Sequence, residues 1–389
     1  MNQAAAGGTS ANASPRMPAL GPVPMALLKK MARLDAAIEP AVFGAPVQYS
    51  LEQVAELAGA EVEQVRNLAR WIGRPPRDIY EVRYTDSDVD SVRQILAYAE
   101  AKALTQQDLG ALIRGMALSM EGLTSRQVEA IVQRLADRQG LGDTGARLIG
   151  AELIPQQTAE LLPLLDHIYR RHFASSIRRL TTDAIAQRGL GSSDTDYPLV
   201  RAIGFADLVN FTARTEKATP EEFRELIRHF RDTSWDIVNE NGGRIVNFIG
   251  DAVFFTADTV HEGANIALQL AAPGALGICG EARASLAWAK VLSTHGDIYG
   301  AGVNLASRLC TVAEPSEVII GPRAASLLSR LPEFTVTPQP AFEARGIGLV
   351  RPALLRYTSD TRPAPVPGSS RALLDEAVAR RSVPVGEAG

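Results

Sequence analysis

The hydrophobic period of this chain changes once, near Tyr197, and that change limits what the chain can fold into. Before it, apolar residues recur at spacings of three and four. Leu104, Leu109, Leu112, Ile113 and Met116 form one such set, and Val128, Ile131 and Leu135 another. After it, short β-type runs alternate with amphipathic stretches. A period of 3.6 and a period of 2 put apolar groups on differently shaped faces, so the two halves cannot belong to one kind of layer. A chain of 389 residues with 46% hydrophobic content has the material for two cores. The expected fold is therefore multi-domain, an all-α N-terminal unit followed by an α+β unit.

The boundaries follow from composition. Residues 1–24 are rich in Ala, Gly, Ser, Asn and Pro and carry almost no charge, which marks a disordered tail. An all-α domain is expected over 25–157, punctuated by Gly59, Gly73, Pro75 and Pro76. A linker helix and hinge follow over 158–196. The helix, from about Thr158 to Gln187, has Leu165, Tyr169, Phe173, Ile177 and Leu180 as its stripe, and Gly189, Gly191, Ser192 and Ser193 end it. The α+β domain spans 197–360. Residues 361–389 read as a flexible tail, with a short helix from Ser370 to Arg380.

Within the second half, Leu199 to Leu208 reads as a strand. Thr219-Pro220-Glu221-Glu222 starts a helix with a capping box and a first-position proline, and Asn241-Gly242-Gly243 stops it. Arg244 to Ile249 and Ala252 to Thr256 form two β runs joined at Gly250-Asp251, a hairpin signal. A helix at about 260–270, a strand at about 282–293, a helix through Asn304 to Ala313 and the strand Glu317 to Ile320 complete the order. The series β-α-β-β-α-β implies a ferredoxin-like core with additions.

Other classes are excluded. The net charge of −4 gives no global attraction to nucleic acid or anionic membrane. Two cysteines, Cys279 and Cys310, cannot make a disulfide scaffold or a cysteine-based zinc site. No stretch of 18 apolar residues exists to span a membrane. With no basic start followed by an apolar block at the N-terminus, the chain reads as a soluble cytoplasmic protein.

Two features carry chemistry. Asp207 ends the apolar run Ala202-Ile203-Gly204-Phe205-Ala206, and Asp251 sits at the tip of an apolar hairpin. If these strands are neighbours, two carboxylates with no fixed cation nearby meet at one end of a sheet, and that pair invites a divalent metal such as Mg or Mn. A turn aspartate and a strand-end cap is the plainer reading. On the expected helix, Asn304 and Arg308 are four apart and share a face, where an amide and a guanidinium suit phosphoryl oxygens. An ordinary exposed helix with a surface arginine is the plainer reading there.

These segments resemble a known family. Phe205-Ala206-Asp207-Leu208-Val209-Asn210-Phe211-Thr212 resembles the first metal motif of class III nucleotidyl cyclases, and Gly243 to Val253 their hairpin with the second metal aspartate. Asp297-Ile298-Tyr299-Gly300 and Val303-Asn304-Leu305-Ala306-Ser307-Arg308 look like their base-selecting and transition-state motifs. The spacings are 44 residues between the aspartates, 7 from Asp297 to Asn304 and 4 on to Arg308. The resemblance covers about 198–358. It implies conversion of ATP to 3′,5′-cyclic AMP and pyrophosphate, with Asp207 and Asp251 holding two Mg2+ or Mn2+ ions per site. It further implies backbone N–H groups of Phe211 and Thr212 on the β- and γ-phosphates, Arg308 on the α-phosphate, Asn304 on the ribose, and Asn247 with Asp297 on the base. Arg345 falls where the family often has a basic residue on the triphosphate. The metal aspartates and the Asn/Arg pair of one site come from different chains in this family, so a head-to-tail homodimer is implied. One departure is Asn247, where adenylyl cyclases of this class usually have Lys. A guanylyl or relaxed-specificity cyclase is the alternative.

The N-terminal segment 49–90 resembles a helix-turn-helix of the MerR type. Between 49 and 114 there are 8 basic and 11 acidic residues, and an acidic face repels phosphate, so nucleic-acid binding is not expected. A DNA-binding, nucleotide-sensing regulator with a degenerate cyclase domain is the second alternative. The whole layout resembles soluble actinobacterial adenylyl cyclases whose helical N-terminal domain is autoinhibitory and dimerising. In those relatives the module responds to pH or to fatty acid. His167 and His172 on the linker helix are the groups here that change charge near neutral pH, though five positions apart they do not share a face.

Overall fold

The computed structural model describes residues 25–189, 199–294 and 296–358. The tails, the end of the hinge and the expected helix at 370–380 lie outside the described residues. The chain divides into two compact units, 1–175 and 176–389.

The described part of the first unit is helical. It comprises α1 (Met25–Phe43), α2 (Leu51–Ala58), α3 (Val62–Trp71), α4 (Asp86–Ala101), α5 (Gln106–Gln139) and the beginning of α6 (Asp143–Gly189). Local signals set the ends. Ser50 caps α2 in a box with Gln53, and Gly59 closes it in the left-handed conformation at φ 67°. Leu51, Val54, Val65, Leu68, Val89 and Ile113 build a small aliphatic core. A single antiparallel bridge, Tyr49 to Tyr84, closes the loop after α3. Glu61 and Glu63 sit on the first turn of α3, where Glu63 engages Arg66 at 2.6 Å.

The structure lengthens one expected element. The linker helix begins at Asp143 rather than about 158 and carries Pro155 and Pro163 inside it. The apolar stripe that marks this helix in the sequence covers only its C-terminal part. The turns before 158 contain Gly145, Gly150 and Pro155, which removes a ladder bond, and these hide the helical period.

The second unit contains β1 (Leu199–Leu208), α7 (Phe211–Thr215), α8 (Pro220–Glu240), β2 (Arg244–Ile249), β3 (Ala252–Ala257), α9 (Val260–Ala271), β4 (Ala282–Thr294), β5 (Asp297–Tyr299) and α10 (Ala301–Val312). It continues with β6 (Val318–Ile320), α11 (Pro322–Leu328), β7 (Phe334–Pro338), β8 (Phe342–Ala344), β9 (Gly348–Val350) and β10 (Ala353–Tyr357). The main sheet has the order β2-β3-β1-β4-β6-β10-β7, with β5 paired to β4, and β8 and β9 form a separate hairpin. The first four neighbours, β2-β3-β1-β4, are the ferredoxin-like arrangement expected from the element order. Strands β6, β7 and β10 are the additions.

The two faces of this sheet differ. Ala202, Ala206, Leu208, Val253, Phe255, Ala284 and Leu286 point to one side, where they join residues of α8 and α9 in the largest core. Ile203, Phe205, Phe254, Ala287 and Val291 point to the other, against Ala306 and Cys310 of α10. Strand alternation therefore puts Asp207 and Arg283, both odd-numbered like their neighbours Phe205 and Ala287, on the α10 side.

Gly204, buried in the middle of β1, faces the ring of Phe255, and a Cβ there would overlap that ring. Gly204→Ala is expected to lower stability by about 1–3 kcal/mol through overpacking. The midpoint of urea unfolding, followed by tryptophan fluorescence, measures it, and an unchanged midpoint contradicts the close packing.

Candidate active site

Register builds the acidic end of the sheet. In the antiparallel ladders around β1, Asp207 lies opposite Ala252 on one side and Arg283 on the other. Asp251 follows Gly250 in the two-residue turn between β2 and β3. Gly250 has φ 63°, a conformation glycine adopts without strain. The Leu208 N–H donates to the Asp251 carbonyl at 3.2 Å and holds that turn against the end of β1. The two carboxylates are thereby brought into electrostatic contact. The Asp251 carboxyl is pushed above its ordinary range, first by burial and to a smaller extent by the Asp207 charge, while a hydrogen bond from its own backbone N–H and the Arg283 charge pull it back.

Arg283 corrects one expectation. The sequence reading gave the aspartates no fixed cation, yet Arg283 donates to Asp207 Oδ2 from Nη2 at 2.8 Å and from Nε at 3.1 Å. Both bonds use the same oxygen, so Asp207 Oδ1 has no hydrogen bond among the described residues. Arg283 also donates to the Thr311 carbonyl at 3.4 Å, tying the cluster to the end of α10. No sequence signal within β4 marks this arginine; only its register against Asp207 does. The donor set fits a divalent metal. Two hard carboxylates crowd one site, burial and the neighbouring charge disfavour the ionised form of one, and an unshared oxygen remains on the other. Among the described residues no group of three or more His, Cys, Asp or Glu forms a denser metal site.

The chain turns sharply after β1 at Asn210, a non-glycine residue with φ 58°, and Phe211 and Thr212 open the short helix α7 there. The Phe211 ring lies 6.0 Å from that of Phe223. Asn304 and Arg308 are exposed on the outward face of α10, while Ala306, Leu309 and Cys310 are buried on its inward face. The helix sits hard on the sheet: Ser285 Oγ donates to the Ala306 carbonyl at 2.7 Å, and a Cβ on Gly302 would overlap Ala289.

Asn247 is aimed by a bulge. The β2–β3 register slips between Ile245 and Asn247, leaving Val246 as the extra residue. Ile245 and Phe248 then both meet the α8–α9 core, and Asn247 is exposed. Asp297 is also exposed, in register with Thr294 at the far end of β4 from Arg283. Eleven strand positions separate Arg283 from Thr294, or about 35 Å along the strand. Within one chain, the structure thus brings Asp207, Asp251 and Arg283 together and sets Asn304 beside Arg308. It does not bring Asp297 to Asp207. Arg345 is exposed in the β8–β9 turn, whose Ala344 and Val350 pack with Leu309 of α10.

No family model matches the chain. An adenylate cyclase of Glutamicibacter nicotianae is 31% identical over 325 residues, covering 82% of this chain and 81% of that protein. An adenylate cyclase of Streptomyces coelicolor is 29% identical over 346 residues, covering 82% and 88%. A pH-sensitive adenylate cyclase of Mycobacterium tuberculosis is 23% identical over 300 residues, covering 73% and 71%. Among solved structures, the adenylyl cyclase CyaB from P. aeruginosa is 20% identical, covers 42% of this chain and 97% of its own, and superposes with a TM-score of 0.37.

Both cysteines are buried. Burial pushes the Cys279 thiol up to about 11, and burial with the nearby Asp207 charge pushes Cys310 up to about 12. Neither forms an appreciable thiolate at pH 8, so a chromogenic disulfide reagent is expected to label neither in the native protein and both in denaturant. Rapid native labelling of Cys310 contradicts this picture of the α10 contact.

Proposed function

The chain belongs to the adenylate cyclase family, and we propose that it converts ATP to 3′,5′-cyclic AMP and pyrophosphate at sites shared by two copies of the chain. The observation that carries this reading is the pair Asp207 and Asp251, crowded at one sheet end with a free carboxylate oxygen. In the proposal these two residues hold two Mg2+ or Mn2+ ions, which when bound would acidify the ribose 3′ hydroxyl and offset charge on the leaving pyrophosphate. Arg283 orients Asp207 through Oδ2 and keeps Oδ1 directed away from itself. Arg308 meets charge developing on the α-phosphate, and Asn304 fixes the ribose so that the 3′ oxygen lies in line with the α-phosphorus. Backbone N–H groups at Phe211 and Thr212 face the β- and γ-phosphates, with Arg345 a further cation for the triphosphate. Asn247 and Asp297 read the adenine edge, Asp297 by accepting from the exocyclic amine.

Two features support a head-to-tail homodimer. Asp297 lies at the far end of β4 from the metal-holding residues of its own chain, whereas pairing two chains supplies both sets to each nucleotide. Asn247, Asp297, Asn304 and Arg308 are all exposed, as groups that meet a partner's substrate must be. Tyr169, Phe173, Ile177 and Leu180 of α6 are exposed too, which supports a second helix-mediated contact. None of the described helices is long and apolar enough to cross a membrane. We assign the enzyme to the cytoplasm, where its nucleotide is made.

Regulation by the helical half is part of the same proposal. A groove of about 900 Å3 in the first unit is lined by Ile38, Val42, Leu123, Ile131, Ile154 and Leu161. Its size and apolar walls support a fatty acyl chain as the regulatory ligand. The likeness to a pH-sensitive adenylate cyclase of Mycobacterium tuberculosis supports a response to pH.

Asp207→Asn is expected to lower Mn-dependent cyclic AMP formation by about 10³-fold or more while the circular dichroism spectrum stays unchanged. Activity within tenfold of the parent contradicts the metal assignment. A second reading, relaxed choice between ATP and GTP, is favoured by the neutral Asn247. Asn247→Lys is expected to raise the ratio of kcat/KM for ATP over GTP by about tenfold. An unchanged ratio would remove Asn247 from base recognition.

A further inference from the structure

The second unit has a cavity that the proposed reaction does not use. It has a volume of about 580 Å3 and lies where β1, β2 and β4 meet Ser176, Arg179 and Leu180 of α6. Arg201 is six positions before Asp207 on β1, about 20 Å along the strand, so the cavity is at the opposite end of the sheet from the metal-binding aspartates. Neither Asn247 nor Asp297 lines it.

Its charged walls are Arg179, Arg201 and Arg244 against Asp258. Arg201 is largely buried, with Nε 3.2 Å from Asp258 Oδ1. Arg179 donates to Ser176 Oγ at 3.3 Å. Arg244, partly buried at the start of β2, reaches the Gly296 carbonyl at 3.4 Å. Burial and the charges of Arg179 and Arg201 together push the Arg244 guanidinium below its ordinary range, although Asp297 and Asp258 act the other way. Three guanidinium groups converging on one partly desolvated cavity make it attractive to an anion, whatever partners each already has. The other polar groups of the lining suit oxyanions: the Ser293 hydroxyl and the glycine-rich backbone at Gly242, Gly243 and Gly296.

We propose that this cavity is an effector site for a small polyphosphate-bearing anion, held by Arg179, Arg201 and Arg244. Three guanidinium groups around a space far larger than one phosphate select a ligand with two or more phosphoryl groups. Because Arg179 comes from α6 and the other two arginines from the sheet, occupancy fastens the 176–180 turn of that helix to the sheet. The inference stands apart from the cyclase reading, since it concerns binding alone.

The test uses the full-length chain in EDTA, with inorganic pyrophosphate titrated calorimetrically. One saturable site per chain is expected. Its affinity should fall by about tenfold or more in Arg179→Gln and in Arg244→Gln, each losing a charge-assisted hydrogen bond. It should be unchanged in Arg308→Ala, which removes a group assigned to the nucleotide. Arg179→Gln changes a helix surface and keeps the test readable if Arg244→Gln misfolds; circular dichroism checks both. Absence of binding by the parent, or binding lost in Arg308→Ala and kept in Arg179→Gln, overturns the proposal.

Discussion

Two carboxylates held together at the end of one sheet, against their mutual repulsion, are the constraint on which the candidate site depends. Nothing local to either aspartate creates this. The antiparallel ladders on both sides of β1 set it, because they align Asp207 with Ala252 of the hairpin and with Arg283 of β4. The Leu208–Asp251 backbone bond then fixes the turn. A slip of one residue in either ladder would carry Asp207 to the α8–α9 face, into the largest core, where a charge has no partner. The same alternation that keeps Ala206 and Leu208 buried on that face therefore keeps Asp207 on the other. Arg283 offsets part of the repulsion while binding a single oxygen. The cluster is held in shape and still carries the net negative charge that attracts a divalent cation.

Distance gives the second constraint. β4 is 13 residues long, with Arg283 near its start and Asp297 returning beside its end. A strand of that length sets Asp297 at the far end of β4 from Asp207 and Arg283 of the same chain. The exposed faces of α10 and β2 resolve this in the proposed homodimer, where each nucleotide takes its metals from one chain and its base contacts from the other. Assembly then controls activity directly, because a displacement of one chain against its partner disassembles the site without unfolding either.

Much of the second unit was legible in the sequence, for local reasons. Thr219-Pro220-Glu221-Glu222 caps α8 as its composition implies, with Thr219 Oγ1 accepting from the Glu222 N–H at 3.2 Å. Gly250-Asp251 makes the hairpin turn, and the four-residue spacing of Asn304 and Arg308 puts both on one face of α10. What escaped was non-local. Arg283 is one arginine in a strand of small residues until β1 is laid beside it. The bulge at Val246 has no glycine or proline to announce it, yet it turns Asn247 outward. The start of α6 was hidden because a proline and glycines blur its period, and β7 to β10 are too short for alternation to register.

The shared site is the central claim, and mixing two inactive chains tests it most directly. Asp207→Asn and Arg308→Ala proteins, each purified and inactive alone, would be combined in equal amounts, allowed to exchange subunits, and assayed for cyclic AMP. If the site is built from two chains, half of the dimers are mixed and each has one intact site, so activity should recover to about a quarter of the parent's. If both residues serve the same nucleotide from one chain, every site carries one defect and the mixture stays inactive. Inactivity after demonstrated exchange would contradict the account.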